Sequence, residues 1–300
     1  MDDLLGLYGN DLGDGVRMAP GRHFKVREVL TSSYLGKVIV NSTTDHFLQS
    51  GGSPDNLFRE NSCLIKSSES SCSALVEMHN RPGDSSSEKV FVKKFLFKGR
   101  IHSLKSLFRQ HRAQVMWKVS WHLLKHSISV PLPEGYLLKR RGVICLEGYF
   151  FSKALRRCYS LDELTKDLEH FSERLSSGGL NRALAHSVAA MHNSGVIHGD
   201  LKWTNILVDA NENQVWLTDL DASKFYRGIL GPKRIARDLA RFVLSGLEAG
   251  IDGTILAVFL NCYAQHRNLK LNDIVGPMMK VLQKLRRRHE KKFRIRSVSN

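Results

Sequence analysis

The sequence has few cysteines, and the five present (Cys63, Cys72, Cys145, Cys158, Cys262) are scattered, odd in number and without a CxxC pair. That argues against a disulfide framework and against a structural zinc site. No long apolar run occurs: the best, Ile255 to Leu260, is far short of the roughly 20 residues that cross a bilayer. The chain opens Met-Asp-Asp-Leu-Leu, acidic where a secretory signal would be basic. No self-similarity at solenoid periods is visible, which sets a repeat architecture aside. Acids are scarce as well, 29 against 45 Lys and Arg, for a formal charge of +16. Such an excess favours anionic partners: nucleic acid, phosphate-bearing substrates or an anionic membrane surface. What remains, 42% apolar and 25% charged over 300 residues, is an ordinary globular composition for two domains or one bilobal one. The expectation is a soluble cytoplasmic protein.

Residues 1–60 are rich in Gly, Asp, Asn and Ser and weakly periodic; only Gly36-Lys-Val-Ile-Val-Asn41 reads as a strand, so a loosely organised lead-in is expected. From Cys63 the pattern sharpens. Cys63-Leu-Ile-Lys66, the serine-rich Ser67 to Ser73 and Ala74-Leu-Val-Glu-Met78 read as strand, loop, strand. Asn80 to Glu88, with Pro82-Gly83, is a turn, and Val90-Phe-Val-Lys-Lys-Phe95 is a third strand of an antiparallel meander. Residues 101–126 are helical in pattern: Leu104, Leu107 and Phe108 share a face, and Trp117, Trp121 and Leu124 recur at spacings of four and three, the two tryptophans as core. Val130-Pro-Leu-Pro133 stops that helix. Gly135 to Leu138 and Val143 to Leu146 are short strands around a hairpin turn at Lys139-Arg-Arg-Gly142. After residue 147 helices dominate. Ser160-Leu-Asp-Glu163 is a capping box. Leu180, Leu184, Val188 and Met191 line a helix that Gly195 ends; Ile235, Leu239, Phe242 and Val243 mark another, and a basic helix is expected to begin near Pro277. The order predicts an α+β chain of two lobes, 61–147 and 148–300.

The stretch with most chemical content is Val196-Ile-His-Gly-Asp-Leu-Lys-Trp-Thr-Asn-Ile-Leu-Val208. Asp200, Lys202 and Asn205 fall between the end of a helix and an apolar strand. Asp219 follows Asn205 by fourteen residues, and Asp221 comes next. Phosphoryl transfer needs a carboxylate near the accepting hydroxyl, a cation against the transferring group and oxygen ligands for magnesium. Asp200 supplies the carboxylate and Lys202 the cation. Asn205 and Asp219 supply hard oxygens, the kind Mg²⁺ prefers. His198 is read as an organiser of the loop. A bare aspartate and asparagine five apart could equally cap loop amides; the longer string with Asp219 downstream is what favours chemistry.

This string resembles the catalytic loop of the protein-kinase-like superfamily, H-R-D-L-x-x-x-N followed by D-F-G. The resemblance implies a bilobal kinase-like fold, with ATP in the cleft between a small antiparallel-sheet lobe and a larger helical one. It makes Lys93, in Val90-Phe-Val-Lys93, the lysine on the nucleotide phosphates in preference to Lys94, and Glu147-Gly148 the hinge receiving adenine. Within the superfamily the chain resembles the lipopolysaccharide kinases, which phosphorylate Kdo or heptose in the inner core. The residues that carry this are Phe91-Val-Lys-Lys-Phe95, Ile128-Ser-Val-Pro-Leu-Pro133, His198 to Val208, Asp219 and Arg237-Asp-Leu-Ala-Arg-Phe242. The implied function is ATP- and Mg²⁺-dependent phosphorylation of a core sugar hydroxyl.

Departures from the pattern keep two alternatives open: a protein serine/threonine kinase, and a non-catalytic kinase-shaped binding protein. The loop Ser67 to Ser73 holds no glycine, so its serine hydroxyls and amides would have to face phosphates without a tight glycine cradle. No acid occurs between Glu88 and Glu134; the position that should offer Lys93 a glutamate falls on Met116, with Glu77 as a substitute. The magnesium motif reads Asp219-Leu-Asp221. Two runs concentrate the charge: nine basic residues without an acid from Lys93 to Lys125, and eight against Glu290 alone from Lys284 to Arg296. They suit an anionic glycolipid at the inner face of the inner membrane. Without a zinc finger, RNP motif or helix-turn-helix signature, they argue less for nucleic acid.

Overall fold

The computed structural model describes residues 16–18, 22–58, 62–79, 87–96, 110–142, 144–210 and 212–298. The expected turn at 80–86 and the apolar face at 104–108 lie outside them. The chain divides into two compact units, Met1–Ser127 with Pro131–Leu155, and Ile128–Val130 with Arg156–Asn300. The α+β class expected from the sequence is the class found.

In the first unit β1 (Val16–Met18) and β2 (Arg22–Phe24) form a small ribbon. Then come β3 (Val26–Leu30), β4 (Tyr34–Ile39), α1 (Thr43–Gln49), β5 (Ser62–Ser68), β6 (Ser71–His79), β7 (Ser87–Phe95), α2 (Arg112–Lys125), β8 (Pro133–Arg141) and β9 (Ile144–Lys153). Seven strands make one antiparallel sheet in the order β3-β4-β8-β9-β7-β6-β5. Alternate residues of each strand feed opposite faces. Val38, Ala74, Val76, Val90, Val92, Leu137, Tyr149 and Phe151 form one core. Phe95, Tyr136, Leu138 and Phe150 form the other, with Met116, Trp117 and Trp121 of α2.

Residues 26–49 are thus more ordered than a loose lead-in. Val29, Val38 and Ile39 are buried. The Ser42 hydroxyl caps α1 by accepting from the Asp45 amide at 3.1 Å, and the buried Asp45 carboxylate takes the Arg27 guanidinium, Nε at 3.0 Å. A few well-placed apolar residues and one ion pair hold what the polar composition concealed.

Glu147 does not end its strand, a correction to the hinge expected there. Tyr149, Phe150 and Phe151 are each buried, on alternating faces, so pairing is rewarded well past Glu147 and β9 continues to Lys153. The Glu147 carboxylate instead joins a polar network. Lys94 Nζ lies 3.0 Å from its Oε1 and the Tyr149 hydroxyl 2.7 Å from its Oε2. Asp55 accepts from Lys139 Nζ at 2.6 Å, Tyr149 at 2.6 Å and Tyr34 at 3.0 Å. Burial pushes the Asp55 pKa up, but hydrogen bonds from Lys139, Tyr149 and Tyr34 overcome it and hold the carboxyl below the usual carboxylate range.

The second unit contains β10 (Cys158–Ser160), α3 (Leu161–Leu164), α4 (Leu168–Ser176), α5 (Gly179–Asn193), β11 (Val196–Ile197), β12 (Ile206–Asp209), β13 (Val215–Leu217), β14 (Lys224–Phe225), α6 (Pro232–Glu248), α7 (Gly253–His266) and α8 (Leu271–Val298). The capping box forms as read, Glu163 Oε2 accepting from the Ser160 amide at 2.8 Å. Leu180, Leu184, Val188 and Met191 are all buried on α5. The last helix starts six residues before Pro277, which lies inside it. Ile274, Met278 and Leu282, at intervals of four, are buried along it, and burying Ile274 offsets the backbone bond that proline cannot donate. Among the described residues no helix is long and apolar enough to cross a membrane.

Replacing Asp55 by alanine takes the acceptor from Lys139 and Tyr34 and leaves Tyr149 with Glu147. The expected cost is about 1–3 kcal/mol, read as a lowered denaturation midpoint; an unchanged midpoint would show the network to be idle.

Candidate active site

Strand β11 delivers the chain into His198-Gly-Asp-Leu-Lys202, and a 3₁₀ turn, Trp203–Asn205, leads out into β12. Trp203 is buried beneath that turn, with Phe171 and Phe242 at ring-centroid distances of 5.9 and 5.7 Å. The row of rings runs on from Phe242 to Phe259 at 4.0 Å and then to Tyr263. The loop therefore stands on a packed aromatic base.

Its backbone is fixed by Asp238 of α6. The fully buried carboxylate accepts from the His198 amide at 2.7 Å and the Gly199 amide at 2.9 Å. A third contact comes from His192 Nε2 at 3.3 Å, whose Nδ1 meets the Tyr263 hydroxyl at 2.7 Å. Burial lowers the His192 pKa against the pull of Asp238. Burial works to raise the Asp238 pKa, yet the His192 hydrogen bond and nearby imidazoles carry it below the ordinary value. Gly199 has φ +83°, and a Cβ there would stand 2.5 Å from the Ala222 carbonyl oxygen. No larger residue fits without shifting the backbone.

Asp200, Lys202 and Asn205 come together as the spacing predicts. Lys202 Nζ is 3.3 Å from Asp200 Oδ2, and the Arg241 guanidinium contacts Asp200 Oδ1. Asn205 is buried and its Nδ2 donates to the Asp200 carbonyl at 2.9 Å, while its Oδ1 receives a long bond from Thr204 at 3.4 Å. The Asn205 carbonyl accepts from the amide and hydroxyl of Thr218, at 3.0 and 3.1 Å. Asp219 follows Thr218 directly in the chain. His198 is buried, with Nε2 2.9 Å from the Thr218 carbonyl and Nδ1 facing the Asp200 amide at 3.4 Å. It organises the loop and does not face an acceptor. Asp219 is left-handed, φ +59°, a conformation aspartate tolerates better than most residues.

Asn205 Oδ1 and the Asp219 carboxylate are hard oxygens, and among the described residues no group of three or more His, Cys, Asp or Glu converges. A set of two protein oxygens suits Mg²⁺, which is commonly bound by one or two carboxylates together with substrate phosphates. It does not suit zinc, which takes three or four protein ligands.

Lys93 belongs to the first unit. It is buried on the α2 face of the sheet, its Nζ 5.2 Å from the Phe95 ring centre. Lys94 points to the opposite face, so Lys93 and Glu147 are not brought together. Met116 is buried in the α2 core. Glu77 faces Lys89, Nζ 3.7 Å away; it pairs four residues along β6 from Ser73, the partner of Lys93, about 13 Å at strand rise, too far to substitute. At the serine-rich tip, Ser68 Oγ accepts from the amides of Ser70 and Ser71 at 3.4 and 3.2 Å. Those two amides are thereby engaged locally.

Sequence reasoning missed Asp238, His192, Arg241 and Trp203 as working residues. For Asp238 and Arg241 a signal was present, since they stand three apart on one helix face, but their partners lie about forty residues earlier.

Fold and loop together define a protein of the protein-kinase-like class. Residues 72–263 match the lipopolysaccharide kinase (Kdo/WaaP) family, and the chain belongs to that family. Among solved structures it is similar to one described as WaaP in complex with acyl carrier protein, at 18% identity and a TM-score of 0.57 over 88% of this chain and 98% of that one. A likeness at that identity bears on the fold. No curated protein matches the chain.

Two outcomes follow from the anchoring. Both His192 and Asp238 have depressed pKa values when folded, so the unfolded chain binds more protons as pH falls. Their stabilisation is complete above the ordinary histidine value of 6.5 and is lost toward acid. His111, lowered to about 4 by burial, acts likewise in the first unit. His192→Gln should lower the melting temperature at about pH 7 and flatten its decline toward about pH 5; a slope equal to wild type would refute the assignment. Arg241→Met should leave the melting temperature nearly unchanged but lower transfer several-fold, because the Asp200 carboxylate loses one of the two cations that hold it; unchanged transfer would reduce Arg241 to a surface contact.

Proposed function

We propose that the protein transfers the γ-phosphoryl group of ATP to a sugar hydroxyl, on Kdo or heptose, of the lipopolysaccharide core. The observation that carries this is the Asp200 carboxylate, held on one oxygen by Arg241 and facing Lys202 with the other. In this reading the sugar oxygen bonds to the γ-phosphorus as the bond to the ADP oxygen breaks. The hydroxyl proton passes to Asp200, and Lys202 meets the charge on the transferring group. Lys93 would hold nucleotide phosphates. Asn205 and Asp219 would hold Mg²⁺, which neutralises phosphate oxygens when bound.

A sugar acceptor is favoured over a protein one by the connection between Asp219 and Asp238, nineteen residues without an A-P-E motif. That stretch is pinned: β14 pairs with β11, the Tyr226 amide donates to the Gly195 carbonyl at 2.8 Å, and Arg267 donates to the Leu230 carbonyl. Gly199 also stands where regulated protein kinases carry an arginine that answers a phosphorylated loop. Lys224, Arg227, Lys233 and Arg234 suit an anionic sugar. The exposed Lys284, Arg286, Arg287 and Arg288 of α8 suit an anionic inner-membrane surface. A second, non-catalytic reading draws on Met116 in the place of a helix carboxylate.

The test combines purified protein, labelled ATP and lipopolysaccharide from a strain lacking the enzyme. Label should enter the core, and Asp200→Asn should lower transfer by about 10²–10⁴ with nucleotide affinity retained. Labelling of casein-like proteins with lipopolysaccharide unmodified would favour the protein kinase. Absence of both transfer and Mg²⁺-dependent nucleotide binding would favour the non-catalytic protein.

A further inference from the structure

The segment from residue 222 to 237 carries Lys224, Arg227, Lys233, Arg234 and Arg237 and no acid. In its middle Gly228 turns at φ +77° and presents Ile229, 94% exposed, while the next residue, Leu230, is 1% exposed. Single exposed apolar side chains are common on protein surfaces. This one differs in how it is held. Arg267, itself buried, donates to the Leu230 carbonyl and to Asn193 Oδ1. Tyr226 is tied to Gly195 and covered by the Arg234 guanidinium at 4.4 Å from its ring centre. The turn is fixed at both ends, so the isoleucine is presented to solvent by design of the backbone and cannot fold back. Cations stand on both sides of it in the sequence.

An apolar side chain on a rigid turn, with cations on both sides of it in the sequence, has the chemistry of a bilayer interface: the tip enters the headgroup and acyl boundary while bases meet anionic headgroups. We propose that the turn around Ile229 is a membrane contact, seating the second unit on an anionic lipid surface. A protein partner is the less favoured occupant, because one isolated apolar residue offers no pocket-filling cluster. The segment adjoins the catalytic loop through β14 and β11 and through Ser223 Oγ, 3.2 Å from the His198 carbonyl. A lipid seat here would set Asp200 close to the bilayer surface, where a glycolipid sugar stands. The proposal goes beyond the kinase reading and does not depend on it.

The experiment is vesicle partition of the full chain without nucleotide or sugar acceptor, so that a failure of the kinase reading leaves it untouched. Vesicles of phosphatidylglycerol in phosphatidylethanolamine are compared with neutral phosphatidylcholine. Ile229→Asp should reduce partition to the anionic vesicles by about tenfold, the worth of one buried aliphatic side chain, with an unchanged melting temperature. Ile229→Leu should retain it. Binding lost on adding salt reports the cations, whose reach contracts to about 3 Å at 1 M; the apolar part should persist as a remaining gap between wild type and Ile229→Asp. Ile229→Trp should give blue-shifted emission when anionic vesicles are added. Equal partition of wild type and Ile229→Asp, or an introduced indole whose emission does not move, overturns the proposal. So does a loss confined to binding of a small acidic protein, which would give the turn to a protein partner.

Discussion

A carboxylate buried without water must be answered by donors, or it costs several kcal/mol. Asp238 is answered by two consecutive backbone amides of the loop and by the His192 imidazole. Hydrogen bonds to a charged group are each worth about 1.5–3 kcal/mol, so helix and loop cannot separate cheaply. That single constraint orders the rest. It fixes the turn at Gly199, which brings Asp200 out at a set angle. One helical turn after Asp238 comes Arg241, on the same face, and it meets the Asp200 side chain. One helix thus holds the loop's backbone and its Asp200 carboxylate together. The imidazole that completes the set is held in turn by Tyr263, the end of the aromatic row on which Trp203 rests.

In the first unit the decisive constraint is parity. Strand residues alternate faces, so a slip of one would exchange every side chain between them. Val90, Val92 and Lys94 share one face; Lys93 and Phe95 share the other. The paired lysines therefore have different surroundings despite being neighbours. Lys94 is satisfied by Glu147 at 3.0 Å. Lys93 is buried on the α2 face, its Nζ over the Phe95 ring.

Much of the fold was legible because it rests on local codes. Periodicity found the β5–β6–β7 meander, the helix of Leu180 to Met191 and the one after Gly231. The capping box at Ser160 formed as written. The loop from His198 to Asn205 was legible because its parts lie within eight residues of one another. What escaped was set by distant partners. Whether a strand ends at Glu147 or runs on to Lys153 depends on cores contributed by other strands. The order of residues 26–49 depends on pairing β4 with β8, a hundred residues later. The start of the last helix was drawn to Pro277 by a local rule, whereas buried Ile274 decides it. Asp238 and His192 read as one more acid and one more histidine on helices until their partners, some forty residues away, are seen.

The connection from Asp219 to Asp238 shows how the same restraints bear on control. A long segment ordered by a phosphate would need a cluster of cations to receive it. Here Gly199 removes the cation that could do so from the loop, and sterics forbid its return, since any Cβ would press on the Ala222 carbonyl. Order comes instead from bonds that need no phosphate: a two-residue ladder, a backbone bond from Tyr226, and Arg267 on the Leu230 carbonyl. Of the segment's cations, Arg234 covers the Tyr226 ring. A charged surface next to a rigid catalytic loop then follows from the brevity of the connection. The same short connection carries both these restraints and a basic sequence, Lys224 to Arg237.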